Sequence, residues 1–186
     1  TGPAFAFGTS WAPGYYRIDA AAFSADGTRA GSADLFVQVT GGTETGVAMA
    51  AAAGYNSLIL KTDGTLHATG ANTYGQLGDD TTESKSTPVP VMSDVAAAAA
   101  GWFHTLILKT DGTLYGTGRN DYGQLGDGTT ESKSTPVYVM SGVADVAAGY
   151  GHTLILKIDG TLWATGSNYY GQLGDGTNTN RQRPQT

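Results

Sequence analysis

Apolar and polar positions along this chain alternate in short bursts rather than at a helical period. In HTLILKTDGTLYGTG, residues 104–118, Leu106, Ile107 and Leu108 run together into Lys109, and a second short run returns through Thr113–Thr117. Unbroken apolar runs of this length are the pattern of strands covered on both faces. Asp111-Gly112 between the runs predicts a two-residue hairpin with a type I′ turn, which needs positive φ at both central positions. Asp63-Gly64 and Asp159-Gly160 lie in the same setting, so Gly64, Gly112 and Gly160 are expected at positive φ. Pro136–Val139 reads as a further strand. The alanine run Ala96–Ala100 has helix propensity, but it is too short for a stable helix, and its counterpart Val143–Ala148 does not read as one. Both are expected as inner strands, where converging units leave room only for small side chains.

Nearer the N-terminus the period is two. Tyr16, Ile18, Ala20 and Ala22 alternate with Arg17 and Asp19, and after SADGT the residues Ala33, Leu35, Val37 and Val39 alternate with Ser32, Asp34 and Gln38. This predicts a hairpin with one apolar face per strand. A lone hairpin is marginal in water, so it must pack on something.

These elements recur. Residues 74–92, YGQLGDDTTESKSTPVPVM, match residues 122–140, YGQLGDGTTESKSTPVYVM, at 17 of 19 positions, 48 residues apart. Asp63, Asp111 and Asp159 mark the same 48-residue period through three copies. Three to four strands per unit at such a period, with recurring Gly and aromatic positions, is the pattern of propeller blades. The fold class is therefore expected to be all-β: three blades at 46–93, 94–141 and 142–186, forming a partial or oligomer-completed β-propeller, preceded by a hairpin segment at 1–45. The recurring Asn and Gly positions and the GQLGD loops are expected to supply the same turn in each blade. TESKST reads as a solvent-facing loop whose identity in two copies records a recent duplication, and TNTNRQRPQ is its diverged third copy.

The pattern AAGxxHTLxLKxDGTLxxxGxNxYGQLGDGT resembles the regulator of chromosome condensation repeat. It is matched at Ala147–Thr177 and Ala99–Thr129, and more loosely at Ala52–Thr81, where Asn56 and Ser57 replace His-Thr. The resemblance implies a propeller used as a binding surface. Proteins of this type include nucleotide-exchange factors on chromatin, a plant ultraviolet photoreceptor and an inhibitor of β-lactamases. Gly101–Thr105 is similar to the photoreceptor's Gly-Trp-x-His-Thr, yet Gly54 and Tyr150 stand where Trp102 does, so no tryptophan cluster can be assembled. YYRIDAAAFSADGTRAGSADLFVQV resembles the last two strands of a bacterial immunoglobulin-like domain, which implies an extracellular or cell-surface setting.

Composition narrows the chemistry. Only 14% of residues are charged and the net charge is −6, which disfavours nucleic acid, since phosphate affinity comes from Lys and Arg releasing counterions. Cysteine is absent, which removes disulfides, thiolate metal sites and Cys nucleophiles. No apolar run is long enough for a membrane helix. The chain opens on Thr1 without a signal-like segment and reads as processed or trimmed. No hydrolase, zinc, P-loop or dinucleotide motif is present, and Asp79, Asp80, Glu83, Asp127 and Glu131 lack the alternating ligand spacing of a calcium loop. The protein is expected to be no enzyme and to need no cofactor or metal.

The candidate site is the set of residues that differ between copies at one strand-to-strand turn: Tyr55 and Asn56; Trp102, Phe103 and His104; Tyr150 and His152. Aromatic rings with His and Asn suit a protein-binding patch; the alternative is that the rings wedge between blades, as Tyr74, Tyr122 and Tyr170 are expected to do. The primary functional expectation is a non-catalytic extracellular repeat protein for adhesion or self-assembly into a filament. Its partner is then copies of itself, or another protein. An inhibitor- or receptor-like binder acting through Tyr55, Trp102 and Tyr150 is the alternative, and an intracellular exchange-factor-like regulator the third reading. A final expectation concerns edges. The third unit stops before the strand matching Val89–Met92 and Val137–Met140, leaving an edge that Leu35, Phe36, Val37, Gln38 and Val39 of a neighbouring subunit could fill. The competing explanation is a fragment of a longer multi-blade chain.

Overall fold

The computed structural model describes residues 46–186 throughout and, before them, the backbone of residues 14–23 and 29–39. The chain divides into two compact units, Thr1–Gly46 and Val47–Thr186. In the first, β1 (Gly14–Phe23) pairs antiparallel with β2 (Arg29–Val39), from Gly14 opposite Val39 to Phe23 opposite Arg29, with a bulge between Ala22 and Phe23. The hairpin predicted from the alternation is present; its SADGT turn lies outside the described residues.

The second unit is three four-stranded antiparallel sheets in chain order. The first contains β3 (Val47–Ala53), β4 (Asn56–Lys61), β5 (Leu66–Gly70) and β6 (Lys85–Met92). The second contains β7 (Val95–Ala100), β8 (His104–Lys109), β9 (Leu114–Gly118) and β10 (Lys133–Met140). The third contains β11 (Val143–Ala148), β12 (His152–Lys157), β13 (Leu162–Gly166) and β14 (Arg181–Gln185). Each is a propeller-type blade. Both small-residue runs, 96–100 and 143–148, are strands, and β3, β7 and β11 contact one another in succession, as inner strands should.

Three details differ from the sequence reading. Gly64, Gly112 and Gly160 do have positive φ, at 82°, 78° and 82°, but Asp63, Asp111 and Asp159 do not, so the turn is not type I′. Gly64 N–H donates to Lys61 O and Lys61 N–H to Thr65 O. This is a three-residue loop closed by a left-handed glycine, a bulged hairpin. Asp63 keeps negative φ because its carboxylate accepts from both Thr65 N and Thr65 Oγ1. Second, the KST of TESKST is not loop: Lys85 and Lys133 open the outer strands, and a side chain on Gly75 would overlap Ser134 of the next blade. Third, the last blade has a short fourth strand, β14, which pairs Ala164 opposite Gln185 and Gly166 opposite Arg181; it corresponds to Lys133–Val137 and meets the stretch matching Val137–Met140 only at Gln185. Leu35–Val39 pair with Gly14–Ile18 of their own chain.

The apolar cores lie between blades. Leu58, Leu60, Leu66, Ala68 and Leu77 of the first blade pack with Val95, Ala98 and Ile107 of the second, all buried. Leu106, Leu108 and Leu114 of the second pack in the same way with Val143 and Ile155 of the third. Burying each such side chain contributes on the order of 1.5–3 kcal/mol, so the junction supplies most of the apolar stabilisation. Polar bonds fix its register. Thr105 Oγ1 and Thr117 Oγ1 donate to Gln76 O and Gly75 O across the first junction, at 2.8 and 2.9 Å. Thr153 and Thr165 donate to Gln124 O and Gly123 O across the second, at 2.7 and 2.9 Å. Backbone bonds Val95 N to Gly64 O and Asp80 N to Ser134 O recur one blade on as Val143 N to Gly112 O and Gly128 N to Gln182 O.

Candidate functional site

The β3–β4, β7–β8 and β11–β12 turns stand at one end of the blades, and the loops leaving β5, β9 and β13 start beside them, since Asn56, His104 and His152 face Gly70, Gly118 and Gly166. Those loops are shaped by one device. Asn72 Oδ1 accepts from Leu77 N, while its Nδ2 donates to Asp79 Oδ1 and Thr81 O. Asn120 and Asn168 repeat the arrangement with Leu125 and Asp127, and with Leu173 and Asp175. Asp79 therefore serves the loop: burial alone would raise its pKa, but bonds from Thr81 and Asn72 outweigh that and lower it. The bonds from Thr177 and Arg181 hold Asp175 further down still.

Above this scaffold lies a run of rings. Tyr55 meets Trp102 edge-on at 6.4 Å between centroids, Trp102 meets Tyr150 at 5.2 Å, and Phe103 touches both Trp102 and Tyr150. Tyr55, Trp102 and Tyr150 are 68, 45 and 52% exposed, so the rings bridge blades and yet face solvent. The same side chains thus touch rings of the neighbouring blade, as a wedge would, and leave ring surface exposed.

The polar members of the candidate set lie elsewhere. Asn56 and His104 are buried, because each opens a strand directly after the exposed turn and points inward. His152 is half-buried. Thr153 Oγ1 uses its hydrogen on Gln124 O, so the 3.2 Å contact from His104 must be an Nε2–H donation to that oxygen. Burial, with a lesser contribution from His152, pushes the His104 pKa down to about 4. His104 is a neutral strut of the junction rather than part of the patch.

Arg119 was not singled out from the sequence. Its guanidinium lies 5.2 Å from the Tyr74 ring, 5.3 Å from Tyr122 and 5.7 Å from Phe103, and its Nε bonds Asp121 at 2.7 Å. The available signal was its place in the repeat, where Ala71 and Ser167 stand in the other copies. Tyr74 and Tyr122 are half-buried, as a packing role requires, because Phe103 and Gly151 of the following blade cover them. Tyr170 is 85% exposed and pairs edge-on with Tyr169, itself 72% exposed. Beside them a hollow of about 450 Å³ is lined by Tyr122, Tyr150, His152, Tyr169, Tyr170 and Gln172, among others. Among the described residues there is no cluster of potential metal ligands and no helix long and apolar enough to cross a membrane.

Blade, junction and turn define a propeller-repeat protein with an exposed ring-lined end. The family model for the regulator of chromosome condensation (RCC1) repeat matches residues 63–108, 111–156 and 159–186, and the chain belongs to that family. A second RCC1 repeat model matches 95–124 and 143–172. No curated protein sequence matches. Among solved structures, human WBSCR16 is similar over 81% of this chain and 40% of its own, with 24% identity and a TM-score of 0.70. Prp20p from Saccharomyces cerevisiae, solved alongside its binding properties to Gsp1p and histones, is similar over 74% and 37%, with 24% identity and a TM-score of 0.68. Yeast RCC1 bound to Kap60 gives 26% identity and a TM-score of 0.63 over 71% and 32%. The chain thus spans two-fifths or less of the length of these proteins. They correct one expectation. An extracellular or cell-surface location was inferred from the hairpin's resemblance, whereas these neighbours are eukaryotic proteins, one studied with histones, and point away from the cell exterior.

Proposed function

We propose that the protein is a non-catalytic binding module that holds a protein segment against the rings of Tyr55, Trp102, Phe103 and Tyr150. The observation that carries this reading is their continuity: rings from three successive repeats touch one another while staying about half exposed. Solvent-facing aromatic clusters of this kind are where binding energy concentrates. The net charge of −6 and the affinity of ring faces for cations favour a partner segment bearing Arg or Lys. RCC1-type structures that bind other proteins, such as Prp20p and Kap60-bound RCC1, support the reading by analogy of fold.

Selection of a random peptide-display library against the intact chain tests it. The enriched peptides should carry basic residues, and Trp102→Ala with Tyr150→Ala should weaken them by about tenfold or more, as hot-spot truncations do. Enriched peptides that bind the doubly substituted chain equally well would place the site elsewhere.

A further inference from the structure

We infer that the hollow between the second and third blades seats the guanidinium of an arginine from a partner segment, as the same place one blade earlier seats Arg119. At that earlier place the Arg119 guanidinium lies 5.2, 5.7 and 5.3 Å from the Tyr74, Phe103 and Tyr122 rings, and its Nε donates to Asp121. Along the 48-residue repeat, Tyr122 and Tyr170 stand where Tyr74 and Tyr122 do, and Ser167 stands where Arg119 does. Gly151 likewise replaces Phe103, and Tyr169 replaces Asp121. The tyrosines of the arginine seat are thus kept, while the cation and the phenyl ring that fill it are reduced to a hydroxymethyl group and a hydrogen.

Those two replacements coincide with the hollow of about 450 Å³, a size within the usual range of ligand sites. Gly151 and Ser167 both line it. Its walls come from both sides of one junction: Tyr122 from the second blade, and Tyr150, Ser167 and Tyr170 from the third. The comparison is therefore between two junctions whose blades are all in the chain.

The lining selects among cations. Tyrosine rings attract positive charge through their faces, and four tyrosines line the hollow. No carboxylate does, and burial lowers the pKa of His152, which keeps its imidazole uncharged at neutral pH. A cation entering must exchange water for rings, and a guanidinium, weakly hydrated and flat, does so more readily than an ammonium. Ser167 Oγ accepts from Gln172 Nε2 at 3.3 Å and has a second lone pair for a guanidinium N–H. Tyr150 belongs both to the hollow and to the exposed ring cluster, so one segment can lie on the cluster and send an arginine into the hollow. The inference rests on the reading of that end as a binding surface, and adds the residue type it selects.

Titration of the intact chain with N-acetyl-arginine amide, followed by NMR of the tyrosine rings, tests this. The rings of Tyr122, Tyr169 and Tyr170 should shift at millimolar amide, while Tyr138, exposed on the outer strand of the second blade, should not. N-acetyl-lysine amide should need several-fold more to produce the same shifts. Ser167→Arg gives the hollow a guanidinium from the chain itself, and in the folded variant the arginine amide should lose its effect. Tyr170→Ala removes a ring that is 85% exposed, which spares the fold, and should weaken the amide by about two- to fivefold, the worth of one exposed ring. The inference is overturned by rings that do not move, by shifts shared with Tyr138, or by an equal response to the lysine amide. It is overturned equally by a response that survives in folded Ser167→Arg, or by one that Tyr170→Ala leaves intact. The amide is too small to span the ring cluster, so its response reports the hollow alone. If it fails while displayed peptides still depend on Trp102 and Tyr150, the arginine seat falls and the binding-module reading stands.

Discussion

At the scale of single residues, the repeats disagree in pairs. Where the second and third copies carry His104 and His152, three residues earlier they carry Gly101 and Gly149; where the first carries Asn56, it carries Ala53. The reason is contact: a Cβ on Gly149 would overlap the imidazole of His152, and one on Gly101 that of His104. Gly149→Ala should thus destabilise the fold by about 1–3 kcal/mol, the usual cost of overpacking, and His152→Asn in the same chain should recover most of it. Chemical denaturation of the single and double variants checks this, and unequal recovery from an unrelated second substitution is the control. His104 makes a second expectation. Its folded pKa, about 4, lies below the unfolded value near 6.5, so between these the unfolded chain binds more protons than the folded one. Stability is then full above the unfolded value and falls as the pH drops toward the folded one, by up to about 3 kcal/mol. Thermal melts from neutral to mildly acid pH should show that loss, and His104→Asn, which installs the first copy's solution, should flatten it. None of this was legible beforehand, because a histidine beside Trp and Phe looks like surface chemistry until the turn before it is seen to take the exposure.

At the scale of elements, the sheets owe their mutual register to threonines that hold two carbonyls at once. Thr117 Oγ1 lies 2.9 Å from Gly75 O in the previous blade and 2.8 Å from Lys133 O in its own, whereas among the described residues Thr69 makes the own-blade bond alone. Thr117→Val keeps the shape and strands both acceptors in a dry junction. It should cost about 1–3 kcal/mol, and Thr69→Val distinctly less, as measured by urea unfolding. Strands and hairpins were readable here because their apolar runs and Asp-Gly turns recur three times. The turn subtype was not, since Asp-Gly serves both hairpin forms and the decision rests on the Thr65 bonds to Asp63. Nor was the role of Ser134, whose backbone presses on a glycine 59 residues earlier in the chain, beyond the reach of any local pattern.

At the scale of the whole molecule, blade number and order followed from the 48-residue period, and membership of the RCC1 repeat family confirms that reading. The cell address did not follow. A hairpin's alternation is a statement about packing, and the same alternation serves proteins in any compartment. The fate of the rings shows a similar limit: composition marked Tyr55, Trp102 and Tyr150 as a group, but only the stacking of blades brings them into contact. Placing the cores between blades has one more consequence. A single 48-residue unit carries half of each of two interfaces and no finished interior, yet any two such units make a complete one. Copying a unit in tandem therefore adds a blade and its glue in the same act, with no other residue obliged to change. A passage as polar as TESKST stands identically at 82–87 and 130–135, and in the second place its Ser134 backs onto the Gly75 turn of the blade before it.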